Sequence, residues 1–265
     1  MQSNIKLGKL PARHDLRTLQ FEKYIIPSAL PPIPEKIAWQ DNIPVSWGMM
    51  QNDSYGDCTC AAAGHMIMNW TGNVNVQTIR IPGDQQILDA YAAITGFDPV
   101  TGLNDNGAVV LDVLKYWRNT GINNDKITAF AGLENQNIQQ VKEAVYLFGG
   151  CYLGVALPNS AKDQKVWSIP PYGPYGQGAP GSWGGHAIPV VGYDSRYLAV
   201  VTWGEIKFMT WGFFQTYCDE AYAVLSIDWI NPDNNKSPVG FDMTSLQQDL
   251  KDITHSAISK SLALI

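Results

Sequence analysis

Cysteine is scarce in this chain: Cys58, Cys60, Cys151 and Cys218 are the only four among 265 residues. Their spacing lacks the dense pattern of a disulfide-built domain. Cys58 and Cys60 have no second ligand pair to complete a zinc site, so no metal is expected. Long apolar runs are missing too. None approaches the roughly 20 residues needed to span a bilayer, so no membrane partner is expected. Basic clusters are absent, and 24 acidic against 18 basic residues leave a net charge of −6. That argues against nucleic acid as a partner. The first nine residues are polar and carry no apolar signal core, so a reducing, cytoplasmic setting is expected. Nothing calls for a cofactor. Histidine is limited to four residues, which leaves few candidates for a general base.

What is present is enough for a substantial core, since 45% of the residues are hydrophobic. Residues 1–50 hold the prolines of Leu10-Pro11 and Leu30-Pro31-Pro32-Ile33-Pro34. These remove backbone donors and favour extended chain, so the segment reads as an arm lying along the body. From Cys58 to Trp70 a small, apolar stretch predicts a first helix, ended near Gly72. Asp84 is a plausible N-cap for a second, in which Ile87, Leu88, Tyr91 and Ile94 share a face. Val110, Val113, Leu114 and Trp117 mark a third helix. Ile138, Val141, Val145 and Phe148 mark a fourth.

The period then changes. Residues 151–157, 186–193, 198–203 and 221–227 are short apolar runs bounded by Gly, Pro, Asn or Asp, and read as strands. Helices first and strands second predict an α+β protein of two packed lobes. The expected organisation is one domain: an arm over 1–50, a helical lobe over 51–150, a sheet lobe over 151–231 and an extension over 232–265. In the extension, Thr244 is expected to cap a helix with Leu246, Leu250, Ile253 and Ala257 on one face. Between Trp167 and His186 a stretch rich in Pro and Gly predicts a partly ordered loop facing substrate, with Trp183 at the cleft.

The chemistry concentrates in three short stretches: Gly56-Asp57-Cys58-Thr59, Gly184-Gly185-His186-Ala187 and Thr202-Trp203-Gly204. A cysteine opening a helix sits among unpaired N–H groups at the positive end of the dipole, which favours thiolate. Cys60 lies two positions along the same helix and points roughly 200° away, so it and Cys58 cannot both face one cleft. His65 lies two turns along and is read as a packed or surface residue. His14 and His255 are read as surface residues.

In this order the stretches resemble the papain-like cysteine peptidases, in the form of bacterial members without disulfides. Asn106-Gly107-Ala108 resembles that family's Asn-Gly-Gly turn. Arg13-His14-Asp15-Leu16-Arg17 resembles an element found ahead of the nucleophile in bacterial members. The resemblance implies a helical lobe, an antiparallel barrel-like sheet lobe and a cleft between them. It also implies Cys58 as nucleophile and His186 as base. For the oxyanion it implies a glutamine about six residues before the cysteine. Gln51 has the identity and Asn52 the spacing, with Gln51 preferred and Asn52 kept open. Where the family holds the histidine ring with an asparagine, this chain has Thr202, followed by Trp203, which would shield the pair from water.

The expected function is therefore a thiol hydrolase, most simply a cysteine peptidase acting on a peptide or protein, with an altered third residue. Two other readings stand beside it. One is a papain-fold protein kept for binding or assembly. The other is an acyltransferase or deamidase using the same dyad. The oligomeric state is left open.

Overall fold

The computed structural model describes residues 5–23 and 31–240. The expected helix at Thr244 and His255 lie outside the described residues. The helices are α1 (Cys58–Val74), α2 (Asp84–Thr95), α3 (Val110–Asn119), α4 (Ile138–Phe148) and α5 (Trp211–Tyr217). The strands are β1 (Leu19–Gln20), β2 (Ile37–Ala38), β3 (Ile127–Gly132), β4 (Cys151–Leu157), β5 (Val166–Trp167), β6 (Gly184–Tyr193), β7 (Tyr197–Thr202), β8 (Glu205–Thr210) and β9 (Cys218–Ser226).

They join in one sheet ordered β1-β3-β9-β4-β6-β7-β8-β5, with β2 pairing on β6. The β1–β3 and β5–β8 pairs are parallel. The other pairs are antiparallel. The expected α+β architecture is present. The division into helices and then strands is less clean than expected: β3 falls inside the helical stretch, and the arm supplies β1 and β2.

Both faces of the central strands are buried. Tyr152, Ala187, Val191, Val201 and Val224 join the core built by α1, α2 and α3. Leu153, Val155, Ile188, Val190, Leu198 and Val200 join a second core with α4 and α5. Strands covered on both sides read as continuous apolar runs, which is how they appear in the sequence.

Helix α1 is the axis of the molecule. From Cys58 to Gly72 every residue is buried. A helix apolar all round belongs inside a core. Gly64 lets the Met50 side chain approach α1 closely, since a Cβ there would stand 2.5 Å from its sulfur. The N-cap of α2 is Gly83, with Asp84 as the first helical residue; Gln86 Oε1 accepts from the Gly83 N–H at 2.7 Å.

Helix α4 begins at Asn137, whose side chain accepts from the Gln140 N–H, and stops at Gly149 with φ 71°. A helix end leaves its last carbonyls without helical donors. Here the Trp39, Trp229 and Trp70 indoles donate to the carbonyls of Val145, Leu147 and Phe148 at 2.8, 2.9 and 2.8 Å. Asn69 Nδ2 donates to Gly149 O at 2.6 Å. Two of these donors lie on α1, so the same contacts that satisfy α4 fix α1 against its end.

Candidate active site

Cys58 is the first residue of α1 and His186 the third of β6. Both are 1% exposed. They line one small cavity together with Asn52, His65, Thr202 and Trp203. Thr202 closes β7, and its Oγ1 lies 2.7 Å from His186 Nε2. The other ring nitrogen, Nδ1, is buried without a hydrogen-bond partner.

After Thr202 the chain reverses in two residues, and Thr202 pairs with Glu205 across the turn. Trp203 and Gly204 have φ of 47° and 76°. Positive φ at both central positions marks a hairpin turn whose twist matches that of the strands. For a tryptophan this conformation costs about 1–2 kcal/mol. It lays the indole on the imidazole, with ring centroids 4.5 Å apart and planes inclined by 17°. Trp183 packs behind it at 5.5 Å. The Pro/Gly-rich loop leading to Trp183 is ordered: Tyr217 O–H donates to Gly178 O at 2.8 Å, and Asn159 Nδ2 to Ser182 O at 2.9 Å.

The two oxyanion candidates separate. Met50 and Gln51 both take positive φ, at 51° and 68°. This turn sends the Gln51 side chain out to α2, where Nε2 donates to Asp84 Oδ2 at 2.8 Å. The preference for Gln51 is not met in this geometry. Asn52 is 2% exposed and lines the cavity with Cys58; its Nδ2 donates to Tyr55 O at 3.1 Å. Cys60 is buried and does not line the cavity. His65 does line it, and its Nε2 lies 3.0 Å from Gly48 O. All four cysteines are free thiols. Among the described residues no group of three or more His, Cys, Asp or Glu converges to hold a metal.

The sequence did not place the first described residues. The arm does not simply lie along the body: residues 5–10 cross the cleft over Cys58. Lys6 N–H donates to Asn52 O at 3.0 Å, and the Trp203 indole donates to Lys6 O at 3.1 Å. Gly8 O accepts from Ala108 N–H at 2.8 Å. Lys9 N–H donates to Gly185 O at 3.1 Å, and Leu10 N–H to Ala108 O at 2.9 Å. Gly8 has to be glycine, because a Cβ would overlap Gly56 O. Beyond the cleft the arm is pinned to α3 by an Arg13–Asp112 ion pair and by Lys115 Nζ on Asp15 at 2.8 Å.

This burial sets the electrostatics. It pushes the Cys58 thiol up to about 12, against the pull of the Ala187 and Gly8 N–H groups and the Lys9 charge. It pushes the His186 imidazole down to about 3, with His65 adding to the shift. In this covered state Cys58 is a neutral thiol and His186 a neutral imidazole, and Nδ1 makes no hydrogen bond to the sulfur.

No protein-family model and no curated protein sequence matches the chain. Solved structures do. Xylellain, a cysteine protease from Xylella fastidiosa, superposes with a TM-score of 0.65 at 16% identity, covering 85% of this chain and 98% of that one. The fold is that of the papain-like cysteine proteases. The cysteine protease and lectin-like domains of Cwp84 from Clostridium difficile give 0.58 at 12% identity, covering 84% and 57%. Procathepsin L2 proteinase from the Tenebrio molitor larval midgut gives 0.58 at 13%, covering 84% and 79%. No helix among the described residues is long and apolar enough to cross a membrane.

Proposed function

We propose that this chain is a papain-like thiol hydrolase acting on peptide or protein substrates, with its own residues 5–10 lying in the cleft. The observation that carries this reading is the shared cavity. A cysteine at a helix start and a histidine line it together, with one imidazole nitrogen on Thr202 and the other free. The protease folds it resembles support the substrate class.

In this reading His186 Nε2–H donates to Thr202 Oγ1, which leaves the Nδ1 lone pair for the Cys58 proton. Cys58 Sγ attacks the substrate carbonyl carbon, and its proton moves to Nδ1. The oxyanion forms near the Cys58 N–H and the Asn52 amide. The tetrahedral adduct collapses to a thioester as the imidazolium gives its proton to the departing amine. Water then attacks the thioester, with His186 taking its proton and returning it to the leaving sulfur. Trp203 covers the ring and keeps bulk water from it. Residues 5–10 must leave before any substrate enters.

The test is cleavage of a denatured-protein digest, read as new N-termini by mass spectrometry, with wild type and Cys58→Ser in parallel. Cuts that depend on Cys58 are expected once the arm is displaced. If an arm-displaced protein with an alkylatable Cys58 makes no such cut, hydrolysis is refuted and a papain-fold binding protein replaces it.

A further inference from the structure

The residue of the arm that is held most completely is Lys9. Its N–H donates to Gly185 O, next to His186, on one wall of the cleft, and on the other wall Ala108 bonds the residues on either side of it, Gly8 and Leu10. Its side chain turns into the sheet lobe and is 1% exposed. There Nζ lies 2.9 Å from Asp219 Oδ2 and 3.2 Å from Glu220 Oε1, and it also donates to Leu10 O at 3.1 Å. Gly154 makes the passage, since a Cβ on it would overlap Lys9 Cε. Tyr222 O–H donates to the far oxygen of Glu220 at 3.0 Å and holds that carboxylate in place.

This is how a peptide residue is bound as a ligand: main-chain bonds to exposed backbone edges give affinity, and a pocket for the side chain gives specificity. Lys9 is also in the wrong place for an ordinary structural ion pair. Its partners belong to β9, whereas Lys9 belongs to a segment that must leave if the cleft is to be used. Once it leaves, Asp219 and Glu220 remain as adjacent carboxylates, one 4% exposed, facing an emptied slot. Unpaired buried carboxylates are costly, so the emptied slot favours another cation. Burial pushes the Glu220 carboxyl up, and the Lys9 charge acts against it. Asp219 Oδ1 is buried with no hydrogen bond, which leaves an acceptor for a second N–H of a forked guanidinium.

From the seating of Lys9 we infer that Gly154, Asp219 and Glu220 form a subsite for the lysine or arginine side chain of a peptide in the cleft. As a substrate subsite it rests on the hydrolase reading above. As a ligand subsite it does not.

The experiment uses the full chain carrying Gly8→Val and Lys9→Ala, so that the arm cannot refill the slot. Two acetylated hexapeptides are compared, Ile-Lys-Leu-Gly-Lys-Leu and the same peptide with norleucine in place of its second lysine. Binding is read as protection of Cys58 from iodoacetamide. The lysine peptide is expected to protect at a concentration at least about tenfold lower, the scale set by loss of a buried charge pair. Glu220→Gln or the more exposed Asp219→Asn should shrink that ratio, and the second variant serves if the first fails to fold. Equal protection by both peptides overturns the inference. A fluorogenic library with every residue at each position separates the two proposals. Cleavage without basic preference refutes the subsite and leaves the hydrolase standing. Lysine-dependent protection without any cleavage refutes the hydrolase and leaves the ligand subsite standing.

Discussion

Displacing the arm should turn an inert thiol into a reactive one, and Gly8 is the position at which to do it. A Cβ at Gly8 would overlap the carbonyl of Gly56, two residues before Cys58. That carbonyl is backbone in the turn leading into α1 and has no flexible end to yield. Gly8→Val therefore cannot occupy the cleft as the wild type does. In the covered state burial holds Cys58 at about 12 against an ordinary value of 9.0. Full return to solvent moves the thiol toward thiolate by at most about three decades at neutral pH, and loss of the Gly8 N–H and the Lys9 charge, which both pull it down, takes back part of that. Intrinsic nucleophilicity falls with pKa by a Brønsted slope of about 0.4–0.5, which takes back somewhat under half of that gain. About fortyfold is therefore the ceiling on the gain from thiolate formation, to which easier access adds.

The assay is an intact-mass time course with iodoacetamide at about pH 7.5, followed by peptide mapping. Cys60, Cys151 and Cys218 are buried and provide internal controls. Label on Cys58 in Gly8→Val at a rate well above wild type is the expected result. Equal rates in the two proteins, with both folded, would refute the argument that the arm governs the thiol. Label appearing first on another cysteine would refute the choice of Cys58 as the accessible nucleophile.

Two further outcomes are expected. Thr202→Val removes the hydroxyl 2.7 Å from His186 Nε2 and leaves a buried donor unpaired, at a cost of about 1–3 kcal/mol. In the Gly8→Val background it should slow Cys58 alkylation, while Thr202→Asn preserves or raises it; an unchanged rate and pH profile in Thr202→Val would make Thr202 a strand residue only. His65 is held down to about 4 by burial, from an ordinary 6.5. The unfolded chain therefore takes up a proton below 6.5 that the folded chain refuses until about 4. Stability should fall with acidification across that window, with His65 contributing up to about 1.4 kcal/mol per pH unit. His65→Gln keeps a donor toward Gly48 and should flatten the slope of urea midpoints against pH; parallel slopes would contradict the assignment.

The parts of the molecule legible in the sequence are those written in local pattern. Helices α2, α3 and α4 follow from apolar stripes and β4, β6, β7 and β9 from short runs, with bounds close to those found. Cys58 and His186 each sit in a distinctive tetrapeptide, and they line one cavity in the structure. Strand β8 escaped because Glu205-Ile206-Lys207-Phe208 mixes charge with apolar residues in a largely unburied strand. Helix α5 escaped because its seven residues are rich in aromatics and depend on packing rather than propensity. The Gln51–Asn52 choice turned on positive φ at Met50 and Gln51, where neither side chain advertises it. The arm in the cleft was illegible for a deeper reason. Its hydrogen bonds are made by its main chain, to partners up to 197 positions away, among them the Trp203 indole. Its one local sign, Gly8, has meaning only once Gly56 and Gly107 are known to face it.

The turn at Trp203 decides whether the arm can leave without dismantling the proposed base. Trp203 touches both: its indole donates to Lys6 O in the arm and stacks on His186. If the indole depended on Lys6, losing the arm would free the imidazole as well as the thiol. It has independent support. Trp167, fully buried, meets it edge-on at 6.0 Å, and Trp183 packs on it at 5.5 Å. Its backbone is fixed by the two-residue turn and by pairing of Gly204 with Gly48. The indole N–H released from Lys6 can bond to water, at little cost. Thr202 takes no hydrogen bond from the described residues of the arm and holds Nε2 from β7. Departure of residues 5–10 thus changes the solvation of Cys58 far more than the placement of His186. The imidazole remains set while the thiol is uncovered, which is the order that the proposed thiol chemistry requires.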